Sequence, residues 1–123
     1  MKMNYFVVGT NDRDAAAKFY DALFEGTGFA QAMATDRMTY WMSEGAAFAV
    51  ATPFDEEPAT KGNGMMVGFD AGSNDEVERL HQKAIDLGGT CEGAPNLRGP
   101  YFSAYVRDLD QNKICFGTLV AAA

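Results

Sequence analysis

The chain has 123 residues, of which 47% are hydrophobic and 22% charged, and its net charge is −7. This length and composition predict a single globular domain spanning 1–123 and exclude a disordered chain. The acidic balance argues against nucleic acid and anionic membranes as partners, and it favours neutral or cationic ligands. Two cysteines are too few for a disulfide framework, and no apolar run suits a signal peptide or a membrane span, so we expect a cytoplasmic location.

The first half of the chain is predicted to form a strand, a helix and three further strands. The segment "MNYFVVGT" is rich in strand-forming residues, and Asn11 is predicted to cap the helix behind it, with Asp14 three residues on. The helix is identified by an apolar face at helical spacing, formed by Ala16, Phe19, Tyr20 and Leu23. Glycines in "EGTGF" end this helix, and "FAQAMAT", "MTYWMS" and "AAFAVAT" predict the three strands.

A polar connector, "PFDEEPATKGNG" at 53–64, is followed by the same order of elements. "MMVGFD" predicts a strand, and "SNDEVERLHQKAIDLGG" predicts a helix capped by Ser73 and Glu76. "TCEGAP" begins another strand, and "YVRDLDQNKICF" at 105–116 predicts two strands joined by a tight turn. Val8-Gly9 and Val67-Gly68 lie 67 − 8 = 59 residues apart, so we predict two tandem βαβββ modules at about 1–55 and 63–122.

This order of elements, with "VVGTNDRDAAAKFYDALF" and the D-x-D-x-N-K hairpin, resembles the vicinal oxygen chelate superfamily. Its members include glyoxalase I, extradiol dioxygenases and bleomycin-resistance proteins. The resemblance implies an α+β fold, in which two βαβββ modules form a curved mixed sheet around a cavity with the helices on the outer face. It also implies a homodimer. Gln111 stands where the family commonly has glycine, which predicts a different turn or local strain.

Family members ordinarily hold one divalent metal on His and Glu side chains that project into the cavity. The resemblance places these ligand positions at Tyr5, Ala49, Gly64 and Cys115. Even a catalytic metal site keeps about three protein ligands, and Tyr5 and Cys115 would supply at most two. We therefore expect no metal site of the family type and no cofactor.

Few residues offer nucleophilic or acid–base chemistry. His81 is the only histidine and lies within the second predicted helix without a partner pattern for catalysis, so we expect a structural role. Strand alternation puts Lys113 and Cys115 on the same face of the last strand, toward the cavity. Cys115 is then either a small buried apolar residue or a nucleophile whose thiolate Lys113 stabilises.

Aromatic residues give a better functional signal. Tyr5 and Tyr105 are expected to face the cavity, and the resemblance matches Tyr105 to a tyrosine beside the substrate in dioxygenase relatives. Trp41 and Tyr101 are expected to join them. These rings either stack on an aromatic ligand or simply fill the cavity. Arg98, expected in a loop before the hairpin, either holds an anionic group of a ligand or is solvated.

Three functions fit these patterns. We favour metal-independent binding of an apolar or aromatic small molecule, as in bleomycin-resistance proteins, by Tyr5, Trp41, Tyr101, Tyr105, Cys115 and Arg98. The second is a glyoxalase-like lyase or isomerase, with proton-transfer candidates Tyr5, Tyr105 and Cys115. The third is an interaction module whose cavity is filled by its own side chains. The substrate itself is not predicted, because function belongs to sites rather than to folds.

Overall fold

The computed structural model describes residues 1–120 and divides the chain into two compact units, Met1–Lys61 and a second that begins at Gly62. The first contains β1 Tyr5–Gly9, α1 Arg13–Leu23, β2 Ala30–Ala34, β3 Met38–Ser43 and β4 Ala46–Ala51. The second contains β5 Val67–Asp70, α2 Asn74–Asp86, β6 Thr90–Arg98, β7 Tyr101–Arg107 and β8 Lys113–Leu119. The α+β class and the two βαβββ modules are confirmed. Residues 121 and 122 of the predicted second module lie outside the described residues.

Each unit has a four-stranded mixed sheet with the same arrangement. The strand order is β1-β4-β3-β2 in the first unit and β5-β8-β7-β6 in the second. The first strand of each unit pairs in parallel with the last strand, and the remaining pairs are antiparallel. The helix of each unit packs on one face of its sheet. We call the opposite face the open face. No helix within residues 1–120 has the length and apolar character needed to cross a membrane.

The two dipeptides used to predict the repeat are not structurally equivalent. Gly9 ends β1, whereas Val67 begins β5. The helix caps mark the repeat more faithfully, because Asp12 and Ser73 lie 73 − 12 = 61 residues apart. The order of elements therefore identified the modules correctly, although the predicted repeat length was measured between two positions that are not structurally equivalent.

Helix α1 covers an aromatic core. Its four predicted apolar residues are all buried, which confirms the face: Ala16, Phe19, Tyr20 and Leu23. The ring centroid of Tyr20 lies 4.7 Å from that of Phe48 and 5.7 Å from that of Trp41. The indole Nε1 of Trp41 donates a hydrogen bond to Asp21 Oδ1 at 2.8 Å. Trp41 is therefore anchored to α1 by both packing and a hydrogen bond.

The N-cap of α1 differs from the prediction. Asp12 caps the helix, because its Oδ1 accepts the N–H of Ala15 at 3.0 Å. Asn11 instead binds the connector: its Oδ1 accepts the N–H of Ala59 at 2.7 Å, and its Nδ2 donates to the Ala59 carbonyl at 3.2 Å. Gly9 permits this approach, since a Cβ there would lie 2.9 Å from the Cβ of Ala59. Asn and Asp are equally good caps, so sequence alone could not choose between neighbours.

Ser73 caps helix α2 as predicted. The Oγ of Ser73 accepts the N–H of Glu76 at 3.2 Å. The carboxylate of Glu76 pairs with Arg79, and this hydrogen-bonded contact lowers the pKa of Glu76. Buried residues on one face attach the helix to the second sheet: Val77, Leu80 and Ala84.

The hairpin between β7 and β8 is built around a buried carboxylate. Asp108 is 3% exposed and Asn112 is 1% exposed. Asp108 Oδ1 accepts the N–H groups of Asp110 and Asn112, each at 2.9 Å, and its Oδ2 accepts Asn112 Nδ2 at 3.0 Å. Gln111 has a φ of +70°, which confirms the unusual turn. The D-x-D-x-N pattern therefore has a structural role, because it sets the register of β7 against β8.

Candidate functional site

The open face of the second sheet contains a groove of about 580 Å³. Small residues on three neighbouring strands leave room for it: Gly68, Ser103, Cys115 and Gly117. Larger apolar and aromatic residues complete its lining, among them Met66, Tyr101, Tyr105 and Leu119. The groove therefore brings together three of the six predicted ligand-binding residues, with a fourth, Arg98, lying over one of them.

Tyr105 is held in place from several sides. A Cβ on Gly93 would lie 2.8 Å from its ring, so glycine is needed where the ring crosses β6. The Cζ of Arg98 lies 5.1 Å from the ring centroid, and the Nζ of Lys113 lies 5.2 Å from it. Tyr105 also faces Cys115 across the β7–β8 pair and hydrogen-bonds to its sulfur. The ring thus lies close to two cations.

Arg98 belongs to strand β6, which corrects the expectation that it lies in a loop. Its Nη1 donates to the carbonyl of Ser103, and its Nη2 donates to the carbonyl of Ala94 at 2.8 Å. The guanidinium is therefore bent back over Tyr105 rather than extended into solvent. Beyond the predicted segment, β6 continues because residues 96–98 pair regularly with β7 after the register shifts around Gly93.

Two predicted ligand-binding residues lie in the first unit. Trp41 is 0% exposed and lies among the core aromatic residues, so the expectation that it lines the cavity is wrong. Its neighbour Tyr40 takes the open face instead, because successive strand residues point to opposite faces. Tyr5 lies at the beginning of β1, on the open face of the first sheet, and is 59% exposed.

Burial decides the chemical state of Cys115. Burial raises the pKa of the Cys115 thiol. The hydrogen bond from Tyr105 and the positive charges of Arg98 and Lys113 lower that pKa, but the effect of burial is larger. The thiol is therefore protonated at neutral pH. Since the thiolate is the nucleophilic form, Lys113 does not activate Cys115 as a nucleophile.

Ser103 is a groove residue that the sequence analysis missed. It is 2% exposed, and its Oγ has no hydrogen-bond partner among residues 1–120. An unsatisfied buried hydroxyl costs about 1–3 kcal/mol. Its position between Tyr101 and Tyr105, two residues from each, was the signal that could have placed it on their face of the strand.

His81 contacts the other cysteine, at a place away from the groove. Its Nε2 lies 3.2 Å from the Sγ of Cys91. Burial lowers the pKa of His81, so the imidazole is neutral at neutral pH. Cys91 pairs with the buried Val106, which faces α2, so this contact joins the helix to the edge of the sheet.

A second hollow, of about 420 Å³, lies in the first unit beside the connector. Arg37 lines it, with its Cζ 5.5 Å from the ring centroid of Phe54 and its Nη1 donating to the Thr52 carbonyl at 3.1 Å. None of the predicted ligand-binding residues lines this hollow. The groove of the second unit is therefore the better candidate site.

The positions that the resemblance assigns to a metal do not form a donor set. Ala49 offers no side-chain donor, and Gly64 lies in a turn with a φ of +95°. Tyr5 and Cys115 would supply at most two donors, fewer than the three protein ligands or so that a catalytic metal site keeps. Across the part of the chain that the structure describes, no three His, Cys, Asp or Glu side chains are grouped to hold a metal ion. These residues do not fit the metal centre of the family.

The family model described as the Glyoxalase/Bleomycin resistance protein/Dioxygenase superfamily matches residues 2–116. A glyoxalase/bleomycin resistance protein from Albidiferax ferrireducens is 38% identical, with a TM-score of 0.89 over 94% of this chain and 97% of that one.

Two more distant structures share the fold. A glyoxalase/bleomycin resistance protein/dioxygenase family enzyme from Burkholderia phytofirmans is 18% identical, with a TM-score of 0.81 over 98% of this chain and 100% of that one. Lactoylglutathione lyase from Agrobacterium tumefaciens is 19% identical, with a TM-score of 0.72 over 96% of this chain and 92% of that one. No curated protein matches the chain. The match over nearly the whole sequence, together with the two βαβββ modules, shows that this protein belongs to the glyoxalase/bleomycin resistance protein/dioxygenase superfamily.

Proposed function

We propose that this protein binds an apolar or aromatic small molecule in the open-face groove of its second unit, without a metal. The observation that carries the proposal is the composition of the groove, where glycines leave space between aromatic and apolar side chains. Gly68 and Gly117 lie on adjacent strands, while Tyr101 and Tyr105 stand two positions either side of Ser103.

A planar ligand gains most from such a lining. Tyr101 is 51% exposed, so its ring is available to a molecule in the groove. Each aromatic pair contributes about 0.5–1.5 kcal/mol beyond the burial of its area. Met66 and Leu119 are also exposed and would cover apolar parts of the ligand. The groove thus favours a flat, largely apolar molecule.

The alternatives have less support. A lyase or isomerase needs Tyr5, Tyr105 or Cys115 to move a proton, and burial keeps the Cys115 thiol protonated by raising its pKa. An interaction module with a filled cavity does not explain an open groove of about 580 Å³. The homodimer and the cytoplasmic location stay predictions that accompany the proposal.

The test is a titration with 2-naphthamide, a neutral aromatic probe, in buffer containing EDTA. Wild-type protein is expected to bind the probe saturably, at one site per chain. Gly117→Leu is expected to weaken binding at least about tenfold, because the added side chain occupies the groove. A Cβ at Gly117 meets its nearest neighbour, the Cβ of Ser103, at 3.6 Å, which is ordinary contact, so the variant is expected to fold.

Ala30→Leu is the matched control, since it adds a leucine at an exposed strand position of the first unit. It is expected to leave the affinity unchanged. If wild type and Gly117→Leu bind the probe with equal affinity, and circular dichroism shows that both are folded, the binding site lies elsewhere. An absence of saturable binding by wild type would contradict the proposed function itself.

A further inference from the structure

We propose that the groove selects an anionic ligand, an aromatic or other planar carboxylate whose charged group lies beside Arg98 and Lys113 at the Tyr105 end. This inference rests on the proposed function of the groove and names the class of molecule that it takes. It departs from the expectation, drawn from net charge, that the ligand is neutral or cationic.

The first observation is a pair of cations without a carboxylate partner. Arg98 and Lys113 both lie about 5 Å from the Tyr105 ring centroid, at 5.1 Å and 5.2 Å. The ion pairs of the second unit, within the described residues, join Glu76 to Arg79 and Glu92 to Arg107. The chain has 17 acidic and 10 basic residues, so carboxylates are abundant, yet within residues 1–120 neither of these two cations forms an ion pair with one.

Two positive charges beside one ring repel each other, and an anion bound between them relieves that repulsion. The effect is stronger in a partly buried groove than in water, because the local dielectric constant is lower. Both charges also act on Cys115, where they favour the thiolate by lowering its pKa against the larger opposing effect of burial. The positive potential therefore reaches into the groove.

The second observation is that Arg98 is already positioned for a ligand. Its two hydrogen bonds to the carbonyls of Ser103 and Ala94 hold the guanidinium over Tyr105. A guanidinium carries five N–H donors in a rigid planar fork, so further donors remain for an oxyanion. Because the side chain is held before the ligand arrives, little conformational entropy is lost on binding.

The third observation is the unsatisfied hydroxyl of Ser103. Its residue lines the groove, its Oγ has no partner among residues 1–120, and it lies two positions from Tyr105 on the same face of β7. A carboxylate or other oxygen of a ligand in the groove would supply the missing hydrogen bond. Because the Ser103 carbonyl accepts a hydrogen bond from Arg98 Nη1, this polar group supports a ligand that carries an oxygen beside Arg98.

The acidic residue of the groove lies too far away to neutralise them. Asp70 pairs with Gly117 on β8, four residues beyond Lys113. At about 3.3 Å per strand residue, their backbones are separated by about 13 Å along the sheet. The groove is thus negative near Asp70 and positive near Lys113, so a carboxylate is directed to one end.

A matched series of probes tests this inference: 2-naphthoate is anionic, 2-naphthamide is neutral and 2-naphthamidine is cationic, while all three share one ring system. We expect 2-naphthoate to bind at least about tenfold more tightly than 2-naphthamide, and 2-naphthamidine to bind most weakly. Lys113→Gln is expected to remove most of the preference for 2-naphthoate while 2-naphthamide still binds. Lys18→Gln, on the exposed surface of α1, removes the same charge from the first unit and is expected to keep the preference.

The outcomes separate the two proposals. Equal binding of all three probes, or tightest binding of 2-naphthamidine, would overturn the anionic ligand class and leave the groove as an aromatic site. A preference for 2-naphthoate that persists unchanged in Lys113→Gln would overturn the assignment of the charged end. If none of the three probes binds, the result contradicts the proposed function itself and not only the anionic ligand class.

Discussion

Replacing Trp41 by alanine is expected to lower the free energy of unfolding by about 3–5 kcal/mol, the usual cost of removing a large buried aromatic side chain. Trp41 is 0% exposed, and its ring lies within 5.9 Å of Phe24 and 5.7 Å of Tyr20, measured between centroids. The substitution also removes the hydrogen bond to Asp21. Urea denaturation followed by far-ultraviolet circular dichroism measures the change.

Tyr101→Ala is the appropriate contrast, because it also removes an aromatic ring from a strand, but one that is 51% exposed. Its cost is expected to stay near or below about 1 kcal/mol, as for most surface substitutions. If the two variants lose the same stability, Trp41 does not have the core position described above. Trp41→Phe should fall between them, since it keeps an aromatic ring and loses the indole N–H.

Replacing Asp108 by alanine is expected to cost about 3–5 kcal/mol, although it removes only a few atoms. Three donors would lose their acceptor: the N–H groups of Asp110 and Asn112, and the side-chain amide of Asn112. Each hydrogen bond to a charged group contributes about 1.5–3 kcal/mol, and buried donors left unsatisfied add a further cost. The same denaturation measurement applies.

Asp75→Ala provides the control for loss of an acidic residue, because Asp75 lies in the first turn of α2 and is exposed. It is expected to cost less than about 1 kcal/mol, through the helix dipole alone. Asp108→Asn keeps one acceptor oxygen and should be intermediate. A loss from Asp108→Ala no larger than that from Asp75→Ala would contradict the structural role assigned to the D-x-D-x-N pattern.

Most of the fold followed from local patterns. Helical periodicity located the buried face of α1, and the Ser73 cap and the glycines after α2 marked the ends of that helix. These signals are local because they depend on residues within a few positions of one another. The cap of α1 was misplaced, since Asn11 and Asp12 are both good caps and the connector residue Ala59, 48 positions away, engages Asn11.

The groove was predictable only in part. Alternation along β8 correctly separated Cys115 from its buried neighbours Ile114 and Phe116, because the hairpin pattern fixed the register. Alternation also applies to β3, but Tyr40 and Trp41 are adjacent aromatic residues, so sequence could not show which one faces α1. The packing of α1 decides this, and that contact is tertiary.

Arg98 was misplaced for a different reason. The pairing of β6 with β7 contains register shifts on either side of Gly93, and regular pairing then resumes from Asn96 to Arg98. Bulges depend on how two strands fit together, so they leave little trace in the sequence of one strand. Without that strand geometry, the position of Arg98 beside Tyr105 could not be foreseen.

Metal content per chain tests the central claim most directly, namely that this member of the superfamily acts through an aromatic groove and not through a metal centre. Tag-free protein is incubated with Ni²⁺, Zn²⁺, Mn²⁺ and Fe²⁺, desalted, and analysed by atomic emission. We predict that no metal is retained, because the family ligand positions hold Tyr5, Ala49, Gly64 and Cys115. Stoichiometric retention of one of these metals would contradict the account and direct the search to glyoxalase-type substrates.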